Sequence, residues 1–302
     1  MGNAKPFLQW AGGKRQLLNE IRKCYPVELG GRINKYAEPF AGGGAVLFDV
    51  LNHHNLDEVY ISDINQELIY TYITIRECVD ELIPALREHE NKYLSADADE
   101  RKIIYYENRD KFNKLKLDND KSPELAALLP ELAALFIFLN RTCFNGLYRV
   151  NTKGGFNVPQ GSYRNPCICD EANLRAASEK LRGAKIVCGD YKLASDFIDN
   201  KTFAYFDPPY RPLSATANFT AYTQDGFDDT AQVELAEFID SVSERGAYVV
   251  ASNSDPKNAD EFDEFFDRLY SRHNIIRVEA SRAINSNGTK RGKVSELLIT
   301  NG

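Results

Sequence analysis

Three aspartates follow short apolar runs that read as β-strands. They are Asp63 after Val59-Tyr60-Ile61-Ser62, Asp190 after Lys185 to Gly189, and Asp207 after Phe203 to Phe206. In an open parallel sheet, ligands bind beyond the carboxyl ends of the strands, where such an acid meets them. A plainer role competes at each position, because aspartate also caps the helix that follows a strand. Capping suits Asp207 least: Pro208 and Pro209 come next and carry no N–H for a cap to bind. What remains there is a set of acceptors, the Asp207 carboxylate and the nearby carbonyl oxygens, with the flat face of Tyr210 beside them. Acceptors next to a flat face match a planar ring that carries an exocyclic amine. Adenine and cytosine both fit, and bases commonly stack on aromatic side chains.

The elements that must position these acids alternate in type. Ile33 to Pro39 reads as a strand, runs into Phe40-Ala41-Gly42-Gly43-Gly44, and continues as a helix over Ala45 to Leu51. The strand Val59 to Ile61 then brings Asp63 about 20 residues past the glycines, the spacing of a nucleotide-binding βαβ unit. Lys185 to Cys188, Phe203 to Phe206 and Ala247 to Ala251 read as further strands, and Thr230 to Arg245 as a helix. Ile275 to Ala280 and Val294 to Thr300 form a terminal strand pair. This alternation predicts a mostly parallel sheet covered by helices.

Between the two halves of that pattern, Gln66 to Leu139 reads as helical, with Leu125, Leu128, Leu129, Leu132, Leu135, Phe136 and Leu139 at helix spacing. The repeat "PELAALL", "PELAALF" places Pro130 either at the start of a second helix or at a kink in a single one. Tyr148 to Asn151 and Phe156 to Val158, joined by Thr152-Lys153-Gly154-Gly155, read as a β-hairpin.

The net charge of −7 runs against a general affinity for nucleic acid, but its distribution does not. Arg141 to Arg164 holds four basic residues and no acid, and so does Arg282 to Lys293. Six cysteines without a Cys-x-x-Cys pair suit reduced thiols in a cytoplasm better than a disulfide framework or a zinc site. The longest apolar stretch, Leu132 to Leu139, is too short to cross a bilayer.

Six stretches in this order carry a resemblance that covers nearly the whole chain. They are "FLQWAGGKRQLL", "AEPFAGGGAVLF", "ISDIN", "NRTCFNGLYRVNTKGGFNVPQGSY", "DPPYRPLSATANFTAYTQDGF" and "SRAINSNGTKRGKVSELL". Together they resemble the Dam family of DNA adenine-N6 methyltransferases. The resemblance implies an α/β fold: a Rossmann-like methyltransferase sheet, mostly parallel with a terminal antiparallel strand pair, plus an inserted helical and β-hairpin target-recognition domain. It implies a catalytic domain over 1–68 and 168–302 and a DNA-binding domain over 69–167. It further implies S-adenosyl-L-methionine as cofactor, double-stranded DNA containing GATC as partner, a soluble monomer, and no metal.

By the same resemblance, Asp207, Pro208, Pro209 and Tyr210 are catalytic. Trp10, Lys14, Pro39, Phe40, Gly42, Gly44, Asp63, Asp190, Tyr191 and Asp207 line the cofactor site. Arg141, Asn145, Leu147, Arg149, Lys153, Pro159, Arg282, Asn287, Lys290 and Arg291 meet DNA. Ser162 stands where the family commonly has arginine. A cytosine-N4 methyltransferase commonly carries serine in place of Asp207, and a glutamine N-methyltransferase asparagine. A DNA-binding module without catalysis would have no need of the set Lys14, Asp63, Asp190 and Asp207.

Overall fold

The computed structural model describes residues 2–118, 125–211, 227–281 and 293–302. In chain order the elements begin with α1 (Leu18–Lys23), β1 (Lys35–Glu38), α2 (Ala45–His53), β2 (Glu58–Asp63) and α3 (Gln66–Glu77). Next come α4 (Val79–Ser95), α5 (Ala98–Asp118), α6 (Leu125–Thr142), α7 (Glu171–Leu181) and β3 (Lys185–Cys188). The chain ends with β4 (Thr202–Phe206), α8 (Asp229–Glu244), β5 (Tyr248–Ser254), α9 (Phe265–Leu269), β6 (Asn274–Ser281) and β7 (Lys293–Thr300). The fold is mixed α/β, with a seven-stranded sheet that is mostly parallel and ends in an antiparallel pair. It divides into two compact units. The first comprises Met1–Gly13, Gly42–Asn52 and Asp63–Gly189; the second comprises Lys14–Ala41, His53–Ser62 and Asp190–Gly302.

In the second unit the strands run in the order β2-β1-β4-β5-β7-β6. Parallel pairing aligns Ala37 with Tyr60 on one side and with Ala204 on the other, and Ala204 with Val249. β1 and β4 are buried along their full length. That is why "KYAE" and "TFAYF" show no polar alternation: a central parallel strand is covered on both faces. β7 closes the sheet antiparallel to both β5 and β6, with Leu298 opposite Ser252 and Ile276.

The first unit is built around α6, in which every residue from Leu132 to Leu139 is buried. An apolar circumference of this kind marks a core helix, and α6 packs on α3, α4 and α5. Pro130 lies inside it, so the sequence repeat ends as one helix and not as two. The expected hairpin is looser than two regular strands. Among the described residues it is a ribbon closed by the isolated bridges Cys143 with Gln160 and Val150 with Phe156. Asn151 takes over part of the pairing. Its side-chain oxygen receives the backbone N–H groups of Lys153 and Gly155 at 2.9 and 3.0 Å, a local turn that competes with a ladder.

Glu131 on α6 ties three helices together. It faces His89 Nε2 of α4 at 3.2 Å and pairs with Lys111 of α5. The His89 contact, followed by Lys111, lowers its carboxyl from the ordinary 4.5 to about 2. The folded chain therefore binds this proton less readily than the unfolded chain, and acid favours unfolding. The contribution is whole above about pH 4.5 and is lost as the pH falls toward about 2. Glu131→Gln is expected to lower stability at neutral pH and to flatten its fall across that window, read by denaturant melts at stepped pH.

Candidate active site and DNA-reading segment

In the second unit, β4 delivers Asp207 out of the sheet and the two prolines end the strand. The Asp207 carboxylate receives the Lys14 ammonium at 2.7 Å and the Ser252 hydroxyl at 2.9 Å. Ser252 sits at the polar end of β5 and also meets the Tyr205 hydroxyl at 3.1 Å. Lys14 is 5% exposed, so this is a largely desolvated pair with a hydrogen-bonded support behind it. Among the described residues both donors meet Oδ1, and Oδ2 keeps its acceptor capacity.

The rest of the turn is held as firmly. The Lys14 ammonium lies 4.6 Å from the centre of the Tyr210 ring. The Tyr210 hydroxyl donates to Glu296 of β7 at 2.8 Å. Burial first, and then Asp207 and Glu296, raise the Tyr210 pKa well above its ordinary value and keep the phenol neutral. Gln232 of α8 donates to the Pro209 carbonyl at 3.1 Å and accepts from Asn253 at 3.0 Å. The Pro208 carbonyl, among the described residues, accepts nothing. Asp207 Oδ2 and this carbonyl are thus two acceptors at one strand end, which suits a two-proton amine donor.

Elsewhere in the second unit, Phe40 stacks on Tyr191 with ring centres 5.4 Å apart. The Pro39 carbonyl receives the Ser62 hydroxyl at 3.4 Å. Asp190 does serve as a cap: its carboxylate receives the Lys192 N–H at 2.8 Å.

In the first unit, Asp63 turns out not to cap α3. Asn65 does so, accepting the Leu68 N–H at 2.8 Å. Asp63 instead receives the Gly42 N–H on Oδ2 at 3.0 Å and the Asn65 N–H on Oδ1 at 2.9 Å. Burial pushes its carboxyl up, opposed by these backbone donors. Each oxygen retains acceptor capacity beyond those bonds. Gly42 and Gly44 have φ of +46° and +71°, the left-handed region that favours glycine. The Trp10 indole packs so closely on Gly42 that an added Cβ would stand 2.9 Å from its Cδ1.

The reading segment belongs to the first unit as well. Asn140, at the end of α6, accepts the Gln9 N–H at 2.8 Å and donates to the carbonyls of Gln9 and Gly146 at 2.8 and 3.0 Å. Arg141 donates to the Phe7 carbonyl at 2.7 Å, which turns a residue expected at DNA partly inward. Phe144 donates its N–H to the Pro159 carbonyl at 2.9 Å, which brings the Asn145 turn beside Pro159. Arg149 is exposed and donates to the Asn157 side chain at 2.8 Å. Lys153 is exposed at the ribbon tip, and Leu147 is half-buried. Arg282, Asn287, Lys290 and Arg291 lie outside the described residues.

Sequence reasoning missed Phe144, Ser252, Glu296 and Gln232. Phe144 is an apolar ring 51% exposed, next to Asn145, whose φ of +56° makes it the one non-glycine residue with positive φ among the described residues. An exposed aromatic flanked by turn residues was a signal available in "TCFNG". For the other three the signal was weaker: they are polar side chains among other polar residues of α8, β5 and β7.

Residues 10–284 match the D12 class N6 adenine-specific DNA methyltransferase family. The chain belongs to this family. It is 48% identical over 299 residues to the type II methyltransferase M.MjaIII of Methanocaldococcus jannaschii, covering 98% of this chain and 99% of that one. It is 36% identical over 298 residues to the DNA adenine methylase of Escherichia coli K12, covering 99% and 95%. The type II methyltransferase M1.LlaDCHI of Lactococcus lactis is also 36% identical, over 301 residues, covering 99% and 96%. The protein is accordingly a methyltransferase of adenine N6 in DNA. No described helix is long and apolar enough to cross a membrane.

Proposed function

We propose that the protein uses S-adenosyl-L-methionine to methylate N6 of an adenine flipped out of a GATC site in double-stranded DNA. The observation that supports the reading best is the pair of acceptors at the end of β4. Oδ2 of Asp207 and the Pro208 carbonyl would accept the two amine protons. Held this way, the amine nitrogen loses conjugation with the ring and turns its lone pair toward an incoming methyl group. Lys14 and Ser252 fix the carboxylate through its other oxygen. The Tyr210 ring would stack on the flipped base. The donor set of the chain fits the cofactor. Asp63, with both oxygens already oriented by backbone N–H groups, can accept ribose hydroxyls. Trp10, Lys14, Pro39, Phe40, Gly42, Gly44, Asp190 and Tyr191 would hold the remainder. When bound, S-adenosylmethionine supplies a sulfonium methyl for in-line transfer.

Residues 69–167 would form the target-recognition domain, with Asn145, Leu147, Arg149 and Pro159 at base edges and Lys153 at phosphate. Phe144 adds a ring suited to wedge against a base step. A monomer acting in the cytoplasm without a metal completes the proposal, on composition and resemblance.

Arg149 gives the test of the reader. Its guanidinium suits bidentate contact with a guanine edge in the major groove. Arg149→Ala is expected to cost about 1–3 kcal/mol on GATC and to relax discrimination at one base pair. Lys153→Ala should weaken all duplexes alike and reduce the salt dependence. Methylation rates on a GATC duplex and its single-base variants, at two salt concentrations, separate the two. A uniform loss for Arg149→Ala would leave the ribbon as a backbone clamp.

A further inference from the structure

Tyr148 stands between two residues proposed to read bases, Leu147 and Arg149, yet its side chain points into the first unit. Its hydroxyl donates to Glu67 Oε2 at 2.9 Å and receives the Lys116 ammonium at 2.8 Å. Lys116 closes the ring by pairing with Glu67 Oε1 at 2.7 Å. Glu67 is 6% exposed, so these are charge-assisted bonds with little competition from water.

The two ends of this side chain lead to the same place by separate routes. Glu67 lies in the first turn of α3, whose cap Asn65 directly follows the Asp63 loop and gives its own N–H to Asp63. Asp63 in turn holds the Gly42 N–H. On the other route, the Tyr148 ring stacks on the Trp10 indole, with centres 5.8 Å apart and planes 23° apart. Trp10 then packs directly on Gly42. A displacement of Leu147–Arg149 against DNA must therefore move either the α3 start or the indole, and both bear on the glycine loop.

We propose that Tyr148 is a positioning residue that couples the reading of DNA to capture of the methyl donor. The inference rests on the cofactor and reader assignments proposed above. Coupling of this kind is reciprocal and is measured as a ratio of affinities. The probes are S-adenosylhomocysteine and a GATC duplex. In the unaltered protein the duplex should tighten S-adenosylhomocysteine binding roughly tenfold, within the usual range of coupling. Tyr148→Leu, which loses both the bonds and the stack, should bring the ratio near one. Tyr148→Phe keeps the stack and should retain an intermediate ratio, and being isosteric it serves if the leucine variant does not fold.

Trp10 is the sole tryptophan of the chain, so its fluorescence reports the stack directly. Duplex addition should shift its emission in the unaltered protein, and Tyr148→Leu should remove that shift. Ratios in both variants equal to that of the unaltered protein would overturn the proposal, as would a ratio of one in the unaltered protein. Methylation of the GATC duplex is measured alongside. If it fails in the unaltered protein, the functional reading is at fault; if it succeeds while the ratios do not change, only the role of Tyr148 is.

Discussion

Asp207→Asn is expected to leave the protein folded while lowering methyl transfer by about 10²–10³-fold, the usual loss when one preorganised electrostatic partner of the transition state is removed. The amide has nearly the shape of the carboxylate but no charge. It cannot polarise the amine to the same degree, and its NH2 group can turn toward the substrate as a competing donor. Asp207→Ala is the less clean variant. It takes the 2.7 Å carboxylate away from Lys14, a lysine that is 5% exposed, and so lowers stability as well as activity. Single-turnover rates at saturating duplex and cofactor, set beside thermal melts, separate the two effects. A rate for Asp207→Asn within a few-fold of the unaltered protein would remove Asp207 from the chemistry.

The second large effect is structural. Gly44→Ala places a Cβ 2.5 Å from the Tyr72 hydroxyl and 3.2 Å from the Phe48 ring. Both rings are buried, and the Tyr72 hydroxyl donates to the Gly42 carbonyl at 3.1 Å, so its retreat would break the bond that steadies the loop. The backbone adds its own cost, because φ is +71°. Left-handed backbone costs about 1–2 kcal/mol and overpacking about 1–3 kcal/mol, together roughly 2–5 kcal/mol. Melting should fall by roughly 4–20 °C at 2–4 °C per kcal/mol, with a raised KM for the methyl donor. Gly183→Ala is the control. Its φ is +78°, but nothing lies within 4 Å of the added Cβ, so only the smaller backbone cost should appear. Equal losses in the two variants would show that the packing around Tyr72 and Phe48 does not matter.

Much of the fold was legible because its signals are local. The apolar runs of β1 and β4 end where glycines or prolines forbid continuation, and α6 announces itself by apolar residues at helix spacing. Asp207 was legible for the same reason, since two prolines leave its carboxylate nothing nearby to cap. The pairing of Lys14 with Asp207, and the support from Ser252 and Glu296, was not. These contacts join residues far apart in sequence: the order of β4, β5 and β7 in the sheet brings Ser252 and Glu296 to the end of β4, and Lys14 comes from the turn ahead of α1. Asp63 shows the limit from the other side. Asp63 and Asn65 are both good caps, and sequence alone cannot say which one turns to the helix. In sequence the ribbon around Arg149 reads as a hairpin, because its residue types suit strands. Asn151 diverts the pairing into a side-chain turn, which residue preferences do not disclose.

Whether the acceptor pair at Asp207 and Pro208 directs methyl transfer to an adenine amine within GATC is decided by following the product. A duplex with one GATC site is incubated with the protein and S-adenosylmethionine, digested to nucleosides and resolved by mass, beside a duplex in which the site is scrambled. N6-methyladenine is expected from the GATC duplex, little from the scrambled one, and almost none with Asp207→Asn. Methylcytosine as the product, or N6-methyladenine formed equally well on both duplexes, would contradict that expectation.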